Sequence, residues 1–219
     1  ALGFIFVTLA LDILGFGLIN PILPRLVESF EGGNVAAASN TVRMLVALYS
    51  LIYLAHQVLP STWVLYTSYR YNWTVGQTGL SLAVVGLTAA IVQGGLTRVI
   101  VPRVGEEKAA TLGLASAAVS YAGYGLATQG WMIYAILAVG SLGGITGPAV
   151  QGLISRGVGA DEPGGVQGAL TSLGSVAGII GPPLATGLFA HFIGARAFAH
   201  LPGAAFFFSA VLTIGAMLL

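Results

Sequence analysis

Apolar runs close to 20 residues long recur from one end of this chain to the other, and few architectures accommodate them. They fall at about 1–23, 45–67, 78–97, 109–127, 130–153, 166–192 and 203–219. At about 1.5 Å per residue, roughly 20 helical residues cross the hydrocarbon core of a bilayer. In lipid every backbone N–H and C=O needs a partner within the protein, which an open sheet does not supply. The runs therefore predict an all-α, polytopic transmembrane helix bundle of seven spans, with the lipid bilayer as its first partner. Only 7% of the residues are charged, against about 25% in soluble domains, so no soluble domain is expected. A formal net charge of +1 gives no reason to expect nucleic acid. With no cysteine in the chain, disulfides and thiolate metal sites are excluded.

Asp12 is the one acidic side chain inside any of these runs. Residues 1–23 lack a basic leading region and a small-residue cleavage site, and they carry this carboxylate, so a retained helix is expected rather than a signal peptide. A carboxylate near the centre of a span costs about 2.5–3.5 kcal/mol on insertion scales, and such groups face a bundle interior or a wet cavity. Two readings follow: a site that loads and releases protons, or a neutral, hydrogen-bonded Asp that locks two helices together.

In the second run Tyr49, Tyr53 and His56 stand at i, i+4 and i+7 and share one helix face. Gln57 follows, just before Pro60, where a kink is expected. This stripe suits either a cavity wall that receives a flat polar aromatic compound or an interior seam with satisfied polar tips. Gln93 and Gln151 are further polar candidates for a pathway. His191 and His200 fall near a span boundary, and His56 makes no metal-ligand spacing with either, so no metal is expected. No P-loop, dinucleotide fingerprint or nucleophile–base pair is visible. The sequence therefore points to no enzyme, no cofactor and no direct use of ATP.

Glycine dominates two spans. Gly140/Gly144 and Gly143/Gly147 are interleaved pairs at four-residue spacing, followed by Pro148. Gly174 and Gly178 repeat the spacing ahead of Gly181-Pro182-Pro183. Such pairs let helix backbones approach closely in lipid, so Gly140, Gly144, Gly147, Gly178 and Pro182 are expected at packing and kinking positions. Kinked, closely packed helices also suit rocking motions.

Between spans, residues 97–108 read as a connection with the densest basic cluster, Arg98, Arg103 and Lys108 around Gly105. The positive-inside rule makes it cytoplasmic, where it is expected to act as a latch on carboxylates or helix C-termini. Alternation then puts 68–77 outside and the C-terminus inside. Asn72-Trp73-Thr74 matches a glycosylation sequon, with Trp73 better read as an interfacial anchor.

The chain resembles the major facilitator superfamily, and within it the tetracycline/H⁺ antiporter type of drug exporter. Helix 1 is similar through Leu11-Asp12, Gly15, Gly17-Leu18-Ile19 and Pro21-Ile22-Leu23-Pro24. The remainder resembles the C-terminal six helices of that family. Gln57-Val58-Leu59-Pro60-Ser61-Thr62-Trp63 looks like helix 7, Gly79-Leu80-Ser81-Leu82 like the start of helix 8, and Gly105-Glu106-Glu107-Lys108 like the following loop. Gly147-Pro148-Ala149-Val150-Gln151-Gly152 looks like helix 10, and Gln167-Gly168-Ala169-Leu170 with Gly178-Ile179-Ile180-Gly181-Pro182 like helix 11. The resemblance divides the chain into a first helix with its loop, 1–39, and a six-helix bundle, 40–219.

It implies proton-coupled export of a small amphipathic compound by alternating access across a bacterial inner membrane, with Asp12 carrying the proton. Substrate and protons are then the partners. The alternative is a non-transporting membrane subunit that packs in a larger complex or forms a homodimer. Three departures bear on the choice. The family has twelve helices, whereas this chain passes from the loop after helix 1 to helix 7 near Ser39-Asn40. The basic loop between helices 2 and 3 and the Gly-Pro motif of helix 5 have no counterpart. Where tetracycline exporters of this type carry a buried Asp in helix 9 and a His in helix 8, the matching places are Ala117 and Ala89. Charge counting over seven spans puts Ala1 outside, while the resemblance puts it inside. The residues are expected to be a subset of a longer chain; a real internal deletion and an inverted first helix are the other two explanations.

Overall fold

The computed structural model of the protein describes residues 35–157, 163–195, 197 and 199–219. The predicted first span, with Asp12, lies outside the described residues, and the other six predicted spans are all helical. The first of them is α1 (Val35–His56) followed by α2 (Val58–Tyr71). The second is α3 (Val75–Ile91), a π-helical turn (Val92–Leu96) and α4 (Thr97–Val104). Then come α5 (Glu106–Leu126), and α6 (Gly130–Gly140) joined by a 3₁₀ turn (Ser141–Ile145) to α7 (Thr146–Gly157). Finally α8 (Pro163–Ile193) leads to α9 (Ala204–Met217). Among the described residues, Val75–Val104, Gly130–Leu153 and Leu170–Ile193 are long and apolar enough to cross a membrane, and Ala204–Met217 is a shorter apolar helix. The molecule is a polytopic membrane bundle.

Each interruption has a local cause. Pro60 has no N–H to offer the carbonyl of His56, and the helix breaks at Gln57. Ser61 braces the next turn: its N–H, at 3.3 Å, and its hydroxyl, at 2.5 Å, both donate to the Gln57 carbonyl. The π turn holds the Gly94-Gly95 pair, and the Thr97 hydroxyl closes it by donating to the Val92 carbonyl at 2.9 Å. The 3₁₀ turn holds Gly143-Gly144, and Pro148 lies just beyond it.

The turn after α2 gives each residue of Asn72-Trp73-Thr74 a structural role. Asn72 ends the helix in the left-handed region (φ 53°). Trp73 packs on Tyr71 and Tyr134, with ring centroids 5.6 and 5.9 Å apart. Thr74 caps α3 in a reciprocal box: Gln77 N–H donates to its hydroxyl at 3.3 Å, and Thr74 N–H donates to the Gln77 Oε1 at 2.9 Å.

The predicted loop at 97–108 is corrected here. Arg98 and Arg103 lie within α4, which runs through Pro102, and Lys108 lies in the first turns of α5. Gly105 alone separates the helices, at φ 86°, a conformation that glycine adopts without steric cost. Proline and charge read as a break, yet Val99, Ile100, Val101 and Val104 keep helical spacing through the segment. Arg98, Arg103 and Lys108 are all exposed. Glu106 and Glu107 open α5, where the helix dipole favours negative charge.

Helix α5 is the hub. It packs on α9, α6, the 3₁₀ turn and α7, while α1 packs on α8 and α9, and α2 on α8. At one end of α5 the rings of Trp63, Tyr66, Tyr124 and Phe206 form the centre of the apolar core.

Candidate functional site

Three helix interruptions converge on one cavity of about 390 Å³. The break between α1 and α2 contributes Tyr53, His56 and Leu59. The π turn contributes Gln93. The glycine-rich segment at the centre of the Gly130–Leu153 span contributes Gly140, Gly143, Gly144, Thr146, Gly147 and Pro148. The wall is completed by Leu114, Ala117, Ser120, Tyr121 and Tyr124 of α5, with Ile52 of α1 and Thr213 of α9. The volume lies within the range of small-molecule sites, about 300–1,000 Å³, and the mixture of rings with a few polar groups is typical of them.

Of the six pathway candidates, Tyr53, His56 and Gln93 line the cavity. Tyr49 stands one turn behind, buried, its ring stacked on Tyr53 at 4.5 Å and 28°. Gln57 is on a different side: it packs on α8, where a Cβ added at Gly178 would meet its amide nitrogen at 3.1 Å. Gln151 is exposed in α7 and away from the cavity. Ala117 is in the wall and Ala89 is not.

The packing candidates also separate. A Cβ at Gly140 would stand 2.8 Å from the Ser120 hydroxyl, so this glycine lets α6 approach α5. At Gly144 the nearest atom would be the Gln93 amide nitrogen at 3.7 Å, and at Gly147 nothing lies within 4 Å. Pro182 is inside α8, and its carbonyl accepts from the Thr186 hydroxyl at 2.7 Å. Gly174 receives the Tyr53 ring, whose Cε1 would be 3.0 Å from an added Cβ.

Of the α5 wall, sequence reasoning singled out only Ala117. Leu114, Ala117, Tyr121 and Tyr124 recur at three- and four-residue spacing, a signal for one helix face. It also missed Thr146, hidden among the glycines. Among the described residues no group of three or more His, Cys, Asp or Glu is placed to hold a metal ion.

The sequence model of the family described as Major Facilitator Superfamily matches residues 44–182, well over half of the chain. The chain belongs to the major facilitator superfamily. It is 37% identical over 151 residues to the class G tetracycline resistance protein of Vibrio anguillarum, covering 69% of this chain and 38% of that one. It is 34% identical over 155 residues to the class C tetracycline resistance protein of Escherichia coli, covering 71% and 39%. The Hippocampus abundant transcript 1 protein of Mus musculus is 28% identical over 151 residues, covering 69% and 31%. The chain thus spans about two fifths of the length of the tetracycline resistance proteins named here. Within this superfamily member, the cavity lies among the helices that the family model covers, apart from Thr213.

Proposed function

We propose that this chain belongs to the machinery of proton-coupled export of a small amphipathic compound across a bacterial inner membrane, by alternating access. The observation that carries the reading is the convergence of three helix interruptions on one ring-lined cavity near the centre of a span. Interrupted helices around a midplane site are how secondary transporters combine binding with rocking of one bundle against another. The tetracycline resistance proteins among its relatives support drug export as the class of activity. Tyr53, His56 and Gln93 are the proposed substrate contacts, and Asp12 the proposed proton carrier.

The test is uptake into everted membrane vesicles driven by an imposed pH gradient, with tetracycline and the neutral dye Nile red as probes. Wild-type chain is expected to accumulate at least one probe, and Asp12→Asn to abolish accumulation at unchanged expression. A gradient-independent wild type that copurifies with a membrane complex or with a second copy of itself would instead establish the non-transporting subunit.

A further inference from the structure

We propose that the outer face of α4 holds the headgroup of an anionic phospholipid, with Arg98 and Arg103 on its phosphate and its acyl chains along the span that leads there. Helix α4 has two sides. Ile100 and Val101 turn inward and pack against the core cluster that contains Tyr49, Val92, Ala109 and Val150. Arg98, Val99, Pro102 and Arg103 are all exposed. Counting about 100° per residue from Arg98, Pro102 stands at about 40°, Val99 at about 100° and Arg103 at about 140°. One face therefore carries a narrow apolar strip with a guanidinium on each rim. The two arginines are offset by about 7.5 Å along the axis, which their long side chains can close onto one headgroup. Guanidinium pairs with phosphate through a fork of two parallel hydrogen bonds.

The rest of the span supplies the other half of what an amphiphile needs. Val75–Val104 is long and apolar enough to cross a membrane, and little of it is buried in the bundle. Leu87, Ile91, Leu96 and Val99 are exposed apolar side chains that lead along it to the arginines. A soluble acidic segment would match the guanidinium groups and leave this apolar approach unused, whereas a phospholipid matches both. The neighbouring charges have the same sense. Lys108 is exposed in the first turns of α5, just beyond Gly105. Glu106 turns toward α7, where a Cβ at Gly152 would stand 2.5 Å from its Oε1, and Glu107 is exposed. Across residues 97–112, three exposed cations thus stand with one exposed carboxylate. Basic clusters at the end of a span attract anionic headgroups, and the attraction falls off within a Debye length.

The test is native mass spectrometry of the purified full chain in detergent, titrated with phosphatidylglycerol, phosphatidylethanolamine or phosphatidylcholine of matched acyl chains. Phosphatidylglycerol should fill its first site about 5-fold more tightly than either of the others. Raising ammonium acetate from about 0.1 to about 0.5 M should erase most of that preference. Arg98→Gln combined with Arg103→Gln should weaken phosphatidylglycerol about 10-fold and leave phosphatidylcholine unchanged, and Arg98→Lys with Arg103→Lys should keep part of the preference. Both side chains are exposed, so the lipid-free thermal midpoint of the glutamine pair should stay at the wild-type value, which separates loss of the site from loss of the fold. Equal affinity of the wild type for the three lipids overturns the proposal, since these cations are then merely solvated. A preference that the glutamine pair leaves intact overturns it too, because the anion then binds elsewhere. Displacement of the lipid by an equal concentration of glycerol phosphate would assign the arginines to a free anion. A protein chain that copurifies with the wild type and is lost from the glutamine pair would make the face a protein interface. Either result overturns the lipid assignment, and none of these readouts requires transport.

Discussion

Two regions that share helix α5 use glycine in opposite ways. Where α5 ends against the start of α9, backbone meets backbone: a Cβ at Gly203 would stand 2.5 Å from both the Cα and the carbonyl oxygen of Gly125. Rings close around this contact. Tyr66 is fully buried, its hydroxyl donates to the Tyr124 carbonyl at 2.5 Å, and its ring meets Phe206 at 4.7 Å. Trp63 stands edge-on to Tyr124 at 5.3 Å and donates to the Ser81 hydroxyl at 2.9 Å. At Gly144 and Gly147, by contrast, the missing side chains leave volume unfilled: a Cβ at Gly144 would have nothing closer than 3.7 Å. At Gly147 nothing stands within 4 Å of an added Cβ. The difference teaches that a glycine in a span marks only a missing side chain, and the neighbour decides whether it serves contact or space.

The sharpest way to break the comparison is Gly203→Ala. Its methyl group would meet backbone, which has no rotamer to move, so one of the two helices must shift. Overpacking of this kind costs about 1–3 kcal/mol and occasionally more. We expect the upper end, which lowers the midpoint of thermal unfolding in detergent by about 6–12 °C. A wild-type midpoint, followed by size-exclusion chromatography after heating, would show that this corner is not close-packed.

Tyr66→Phe is the next largest. It keeps the ring contacts with Phe206 and removes only the hydroxyl that satisfies the Tyr124 carbonyl. Leaving that buried acceptor without its partner costs about 1–3 kcal/mol. Stability should fall by about 1–2 kcal/mol, while Nile red affinity stays within twofold. A large change in affinity would mean that the ring corner and the cavity are one coupled unit rather than two regions.

The contrast also explains what could be read before the structure. The bundle was legible because lipid leaves the backbone few choices, and apolar runs of the right length announce themselves. Tyr53 and His56 were legible as members of one face, since helical spacing is local. Their convergence with Gln93 was not, because it depends on a π turn that two glycines permit but do not demand. The basic segment around Gly105 misled for a related reason: Pro102 and two arginines resemble a loop, yet one glycine with positive φ is all the turn requires.

Gly147→Ala has the smallest expected effect and separates the two uses of glycine most cleanly. In a helix, alanine is favoured over glycine by about 0.8–1.0 kcal/mol where it meets no clash. Gly147 lies in the first turn of α7 with open space before it, so part of that gain should be realised. The added methyl enters the cavity beside Pro148 and Thr146 and takes volume from the ligand. The expected result is therefore opposite in sign to Gly203→Ala on stability: unfolding at or slightly above the wild-type midpoint, with Nile red affinity reduced about three- to tenfold. If stability fell instead, the space at Gly147 would have to be occupied in the membrane-embedded protein, and the cavity would be smaller at this end than its walls indicate. If stability held and affinity did not change, the ligand would sit toward Tyr53 and Tyr121.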